Sequence, residues 1–379
     1  MSRSDLLVVA GESSGDLHGS RLLAALATRL PGVTAFGLGG DRLAAAGMRL
    51  LADSSEISVV GITEALDVLP RAAEIMDRLL IECERRRPGA AVLIDFPEFN
   101  LRLARRLKWL GIPIVYYVSP QIWAWRRGRV RAISELVDRM LVLFAFEEQF
   151  YRDHGIAAVH VGHPIVEEVP LLKGTWDDGR VAEPIRELRI ALLPGSRRSE
   201  VEALLPRMVG AVRELRGQQP VAARLIQASS IADGQVARLV GDEPLEIVRD
   251  RRFAAIAECH LALCASGTAT LEVGLLGTPM IVLYHLAPWT YRLARLLVKV
   301  PYFSLVNLVL DKAVVPELLQ EATAPAAIAA RVRELVHDGA AIRTMRRDLA
   351  GLRGALGAPG ASARAAAEVA GVLHAGGRA

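Results

Sequence analysis

The chain has 379 residues and a mass of 41.0 kDa, which at roughly 150 residues per domain predicts two domains rather than one. Hydrophobic residues make up 52% and charged residues only 23%, so sizeable cores can be buried and a disordered chain is excluded. No stretch approaches the roughly 18 consecutive apolar residues of a membrane span.

Lys and Arg number 46 against 42 Asp and Glu. An Arg-rich excess of this kind is most simply genomic base composition; its functional reading is attraction to phosphate or anionic lipid, and it does not choose between nucleic acid, membrane and nucleotide. Cys83, Cys259 and Cys264 are an odd, scattered set, which argues against a disulfide framework or a zinc cluster. The apolar run near the amino terminus is too short for a signal peptide, so the chain reads as cytosolic.

In chain order, short continuous apolar runs alternate with longer amphipathic stretches. Strands are predicted at Leu6–Ala10, Ala91–Ile94, Ile114–Val118, Met140–Phe144 and Val159–Val161. Helices are predicted between them at His18–Leu30, Ala65–Arg87, Leu101–Leu110 and Phe146–His154. A polar stretch, Glu168–Glu187, is then interrupted by Pro170, Gly174, Gly179 and Pro184. The alternation restarts with strands at Arg189–Leu193, Ala223–Gln227, Leu245–Val248, His260–Ala265 and Met280–Leu283, and Ala361–Ala375 reads as a terminal helix. Continuous rather than alternating runs argue for parallel sheets covered by helices on both faces. The expected class is α/β, with doubly wound, Rossmann-like domains over residues 1–168 and 169–349. In such sheets ligands sit beyond the carboxyl ends of the strands, so the loops there are where chemistry is sought.

The first strand leads into Gly11-Glu12-Ser13-Ser14-Gly15-Asp16-Leu17-His18-Gly19. Its Gly-x-Ser-x-Gly would suit a hydrolase elbow with Ser13 as nucleophile, but only one strand precedes it to supply an oxyanion hole. A glycine turn opening a helix, with Glu12 and His18 at its mouth and free amides for an anion, is the better reading. Gly37-Leu38-Gly39-Gly40-Asp41 reads as a second, uninformative glycine turn. Asp95 ends a strand beside Phe96 and Pro97, a partly desolvated carboxylate that suits a general base; the alternative is a helix cap. Tyr117–Arg129 is the densest aromatic and basic cluster, fit either to shape a sugar or phosphate site or to stack on nucleic acid.

In the second half, Leu192–Glu200 brings Gly195, Ser196 and Arg197 to the start of a helix, a phosphate cradle that needs no metal. Ala265–Glu272 repeats the arrangement with Ser266, Gly267, Thr268 and Thr270, and Glu272 one turn on could meet ribose hydroxyls. Together they predict a nucleotide diphosphate site. No Walker-type loop, His-Glu-x-x-His or Asp-x-Asp pair is present.

The strings Gly11-Glu12…Ser14-Gly15-Asp16, Tyr117-Val118-Ser119-Pro120…Trp123-Ala124-Trp125-Arg126, Leu193-Pro194-Gly195-Ser196-Arg197, Ala265-Ser266-Gly267-Thr268-Ala269 and Pro316-Glu317-Leu318-Leu319-Gln320 occur in the order seen in lipid-A-disaccharide synthases. The chain closely resembles that glycosyltransferase family of the lipid A pathway of Gram-negative bacteria over roughly residues 6–320. The resemblance implies a glycosyltransferase-B arrangement with an interdomain cleft, an acceptor- and membrane-facing first domain with helix 350–379 returning to it, and a UDP-sugar-binding second domain. It implies UDP-2,3-diacylglucosamine as donor, 2,3-diacylglucosamine 1-phosphate as acceptor, and inversion to a β(1→6) disaccharide without cofactor or metal. Asp95, Glu12 and His18 become the candidates for the base. Ser14, Gly15, Asp16, Ser119, Trp123, Trp125, Arg126, Asn307, Glu317 and Gln320 are expected at the acceptor or the cleft.

Acylated substrates imply a peripheral place on the anionic inner face of the inner membrane, with no nucleic-acid partner; a homodimer stays open. Candidate membrane stripes are Leu66, Leu69, Ala73, Met76 and Leu80, and Trp289, Leu293, Leu296, Leu297 and Val300 among Arg292, Arg295 and Lys299. Rival readings are a UDP-N-acetylglucosamine epimerase, a murein-precursor transferase and an RNA-binding protein. Two positions depart from the family: Ser13 stands where Ala is common, and Val306 where Pro often precedes the residue matching Asn307.

Overall fold

The computed structural model describes residues 5–57, 65–120, 122, 130–172, 174, 185–286, 291 and 301–376. The chain divides into two compact units, residues 1–164 with 356–379, and residues 165–355.

The first unit carries a seven-stranded parallel sheet. Its strands are β1 (Asp5–Ala10), β2 (Thr34–Gly39), β3 (Arg49–Asp53), β4 (Ala90–Ile94), β5 (Ile114–Tyr117), β6 (Arg139–Val142) and β7 (Ala158–His160). They lie in the order β3-β2-β1-β4-β5-β6-β7. Leu6 to Ala10 and Ala90 to Ile94 are buried along their whole length, which is why these strands read as unbroken apolar runs. Leu7, Val9, Leu93 and Tyr116 share a core with Ile75, Leu79, Leu103 and Leu107 from helices Ala65–Arg86 and Pro97–Trp109. The alternate residues face the other side, where helix Ser13–Arg29 packs along the terminal helix Ala361–Gly376.

The second unit has six parallel strands: β8 (Leu188–Leu193), β9 (Val221–Ile226), β10 (Glu246–Val248), β11 (Leu261–Ala265), β12 (Met280–Tyr284) and β13 (Glu317–Leu319). Their order is β10-β9-β8-β11-β12-β13. Helices Arg198–Arg216 and Pro325–His337 pack together in this unit.

The structure moves several expected boundaries. Residues 165–168 belong with the second unit, and so do residues 350–355. The reason is Arg353, whose guanidinium donates to the carbonyls of Val166 (2.7 Å) and Val169 (3.0 Å). The expected glycine turn Gly37–Asp41 is mostly strand: Gly37 pairs with Val8 inside the sheet. A Cβ at Gly37 would collide with the Val8 carbonyl, so glycine permits this pairing rather than a turn. The short strands β3 and β13 also lie outside the predicted set. Cys83, Cys259 and Cys264 are all buried, and burial pushes the thiols of Cys83 and Cys259 up to about 12 and 11. They are core residues rather than nucleophiles.

Candidate active site

Each sheet reverses its strand order once, between β1 and β4 in the first unit and between β8 and β11 in the second. At such switch points the following loops diverge and leave a crevice at the carboxyl ends. The Gly11 and Asp95 turns flank the first crevice, and the Gly195 and Ser266 turns flank the second. The glycine, carboxylate and hydroxyl turns that the sequence marks for chemistry thus lie at the switch points, whereas the Tyr117 cluster follows β5 and the Glu317–Gln320 segment lies on and just past the edge strand β13.

The backbone at these strand ends is strained. Asp95, Phe96 and Val118 in the first unit and Gln320 in the second are four of the seven described non-glycine residues with positive φ, and all lie just past a strand. Left-handed backbone costs such residues roughly 1–3 kcal/mol and gathers where function over-determines it. Asp95 and Phe96 both sit at φ 45°. The N-cap of helix Pro97–Trp109 is Phe96, so Asp95 does not take the capping position. The Asp95 carbonyl accepts from the Tyr116 hydroxyl (2.6 Å) and the Asn100 amide (2.8 Å), and the Asp95 N–H donates to the Tyr117 carbonyl (3.0 Å). The Phe96 ring lies against Gly11, where any Cβ would strike it, so this glycine lets the two turns meet. Asp95 is half-buried, while Glu12 beside it is exposed at the N-cap of helix Ser13–Arg29. Ser13 stands exposed in that helix with no positive φ, unlike the strained nucleophile of a hydrolase elbow.

His18 comes from the second turn of the same helix. Its ring meets Tyr117 edge-on at 5.9 Å and His163 at 6.4 Å. His163 is buried against Phe144, 5.4 Å away. Burial lowers its imidazole to about 3, with His18 and His160 adding to the effect, so it is neutral at ordinary pH.

In the second unit Ser196, Arg197 and Thr268 are exposed, and the Ser230 hydroxyl donates to the Ser196 carbonyl (2.7 Å). The Arg197 guanidinium, 74% exposed, rests on Glu200 at 3.1 Å. An exposed pair of this kind is worth roughly 0–1 kcal/mol, so the guanidinium can leave it for a phosphate. Ser266 donates to the Phe303 carbonyl (2.7 Å), and the Phe303 ring stacks on Tyr284 at 6.2 Å. Burial pushes the Tyr284 hydroxyl above its ordinary range, with Glu200 adding and Arg197 opposing. Glu272, expected to meet ribose, pairs with Arg252 at 2.9 Å. Its carboxyl is nonetheless raised, chiefly by burial and against the pull of Arg252.

Several expected contact residues make hydrogen bonds within the frame. Asp16 is buried, and its carboxylate accepts from the backbone of Gly40, Arg42 and Leu43. Ser119 is buried against the Tyr151 hydroxyl (2.8 Å), and Thr270 donates to the Gly267 carbonyl (2.7 Å). Asn307 is consumed by Val314, Val315 and Glu317, while Gln320 brackets both polar groups of the Leu286 backbone. Glu317 accepts from the amides of Phe303 and Ser304, which fastens that segment beside the Ser266 turn. Ser14 is exposed, whereas Gly15 is packed near Ala10 and Ile94. Trp123, Trp125, Arg126 and the stripe Trp289–Val300 lie outside the described residues. Asn100, Tyr116, Ser230 and Phe303 carry no mark in the sequence, since only strand register and loop closure bring them to these turns.

Two parallel α/β units with strands wound outward from a central switch point define a glycosyltransferase-B type of fold. The structure aligns with MurG of Acinetobacter baumannii at TM-score 0.59, 13% identity and 97% and 99% coverage of this and that chain. It also aligns with an S. aureus MnaA–UDP co-structure at TM-score 0.64, 12% identity and 98% and 97% coverage. In sequence, residues 6–366 match the family model described as lipid-A-disaccharide synthetase. The lipid-A-disaccharide synthase of Myxococcus xanthus (strain DK1622) is 46% identical over 368 residues, 96% of each chain. That of Anaeromyxobacter dehalogenans (strain 2CP-C) is 45% identical over 375 residues, 97% of each. The chain belongs to the lipid-A-disaccharide synthase family, a family of glycosyltransferases.

Proposed function

We propose that the protein transfers 2,3-diacylglucosamine from UDP-2,3-diacylglucosamine to 2,3-diacylglucosamine 1-phosphate, forming the β(1→6) disaccharide 1-phosphate and UDP. The observation that carries this reading is the presence of a strained carboxylate turn at one switch point and of two hydroxyl-bearing turns, one of them with Arg197, at the other. The UDP named in the S. aureus co-structure shows that a chain of this fold can hold that nucleotide, which supports the reading of the Gly195 and Ser266 turns as a nucleotide site.

An α-linked donor and a β-linked product require one displacement. Asp95 takes the proton of the acceptor 6-hydroxyl as its oxygen bonds to the anomeric carbon, and the bond from that carbon to the diphosphate breaks. Glu12 orients the acceptor, and His18 is the third candidate for the base. Negative charge grows on the leaving diphosphate, where Arg197 and the Ser266–Thr268 amides receive it in place of a metal. Incubating the protein with both lipids and a chelator is expected to give disaccharide and UDP. No product, or product only with added magnesium, would refute the reading. Arg197→Ala is expected to lower kcat roughly 10²-fold with a smaller change in donor KM; unchanged turnover would remove Arg197 from the mechanism.

The acyl chains of both substrates place the enzyme on the anionic inner face of the inner membrane. No described helix is long and apolar enough to cross a membrane. Helix Ala65–Arg86 leaves the core toward its amino end: Leu80 is buried and Met76 half-buried, whereas Ala73 is exposed and Leu69 is 56% exposed. Such a face suits reversible docking, with anionic lipid adding about 1 kcal/mol per surface Lys or Arg. Vesicle flotation is expected to capture the protein on anionic lipid at low salt and release it at high salt. Equal, negligible capture on anionic and neutral vesicles would rule out docking.

A further inference from the structure

We propose that Tyr116 and Asn100 are positioning residues that set the geometry of Asp95, an inference that rests on the reading of Asp95 as the base. Two consecutive left-handed residues do not hold themselves in place, because the same chain relaxes into an extended or helical turn at lower cost. At this turn the restraint comes from below. The Tyr116 hydroxyl donates to the Asp95 carbonyl at 2.6 Å, and the Asn100 side-chain amide donates to the same oxygen at 2.8 Å and to the Ile94 carbonyl at 3.2 Å. Asn100 is wholly buried, and Tyr116 is fixed by its place in β5, where it pairs with Leu93 of β4. Both donors are therefore rigid, and both converge on one carbonyl.

That carbonyl belongs to the residue whose side chain is assigned the proton. Fixing it fixes the peptide plane after the Asp95 Cα, while the plane before it is held by Asn100 on the Ile94 carbonyl and by the Asp95 N–H on the Tyr117 carbonyl, and together they set the direction in which the carboxylate leaves the backbone. The Phe96 ring against Gly11 closes the turn from the other side. Neither Tyr116 nor Asn100 touches substrate in this scheme; each acts through Asp95.

Tyr116→Phe removes one hydroxyl and leaves the ring in the core, so it is the cleaner test. It is expected to lower kcat roughly 10- to 100-fold, the scale of an ångström-sized misplacement of a reacting group. Donor and acceptor KM should stay within about twofold, and far-UV and near-UV circular dichroism should be unchanged. Asn100→Asp, which puts an acceptor where the donor was, should lower kcat at least as far. The decisive readout is the double variant Asp95→Asn/Tyr116→Phe. If Tyr116 acts through Asp95, it should be no slower than Asp95→Asn alone. Additive losses, or a Tyr116→Phe enzyme with normal kcat beside an inactive Asp95→Asn enzyme, would overturn the positioning role while leaving Asp95 as the base. A fully active Asp95→Asn enzyme would instead overturn the reading on which the inference rests.

Discussion

Asp95→Asn is expected to lower turnover about 10²–10⁴-fold, the usual cost of losing a positioned general base, with folding and UDP binding retained. Asparagine is the substitution the backbone accepts most easily. At φ 45° it shares with aspartate the tolerance for the left-handed region that other side chains lack. The loss can therefore be assigned to proton transfer rather than to a collapsed turn. Glu12 is the control, since it is exposed at the neighbouring turn and its side chain makes no cap to its helix. Glu12→Gln should cost less than Asp95→Asn, with the larger part in acceptor KM. Near-normal turnover of Asp95→Asn alongside a dead Glu12→Gln would exchange the two roles. The comparison is a steady-state assay of disaccharide formation at saturating donor.

The second large effect is on stability in mild acid. His163 is held to about 3 and His260 to about 4, both chiefly by burial. The ordinary value in an unfolded chain is near 6.5. Above about pH 6.5 neither state carries the proton, and stability from this source is level. Below it the unfolded chain gains a proton that the folded unit refuses, so stability falls with pH. The slope is about 1.4 kcal/mol per pH unit for each histidine until the folded values are reached. Between pH 7 and pH 5 each unit should lose on the order of 2 kcal/mol. Urea unfolding at the two pH values reads this directly. His163→Phe, which keeps a flat apolar ring beside Phe144, should flatten the dependence in the first unit. Equal midpoints at pH 7 and pH 5 in the unaltered protein would show that these imidazoles are not held neutral.

How much of the molecule is legible in the sequence follows from what each element rests on. β1, β4, β8 and β11 declare themselves because their residues are apolar without interruption, and a strand buried on both faces can hardly look otherwise. β2 hides behind its glycines: Gly37 serves close approach to Val8, and in a bare sequence that is indistinguishable from a turn. β3 and β13 are short edge strands, with Asp53 and Glu317 at their ends. The turns of the candidate site are legible, since glycine, hydroxyl and charge directly past an apolar run mark the point where a buried strand gives way to a tight, polar loop. Their supports are not. Nothing local in Tyr116 says that its hydroxyl will meet a carbonyl 21 residues upstream, because that meeting depends on the register of β4 against β5. The hydrogen bonds that tie Asp16, Asn307 and Gln320 into the frame are hidden in the same way. Polar residues in marked loops are as apt to hold a loop as to face out of it, and only burial separates the two.

The first unit is made from both ends of the chain. The helix Ala361–Gly376, 16 residues long, lies along helix Ser13–Arg29 and reaches β4 and β5, whereas residues 165–355 close their own unit without a break. On the ribosome the two halves therefore complete in reverse order of synthesis. The second has its whole sequence available once residue 355 has emerged, while the first keeps part of one sheet face open to solvent until helix Ala361–Gly376 is released. Contacts of such long sequence separation form slowly, and an uncovered parallel sheet is the kind of surface that chaperones engage. The first unit is thus complete only once residues 361–376 have emerged, and a chain that stops short of residue 361 lacks the cover on β4, the strand that carries the Asp95 turn.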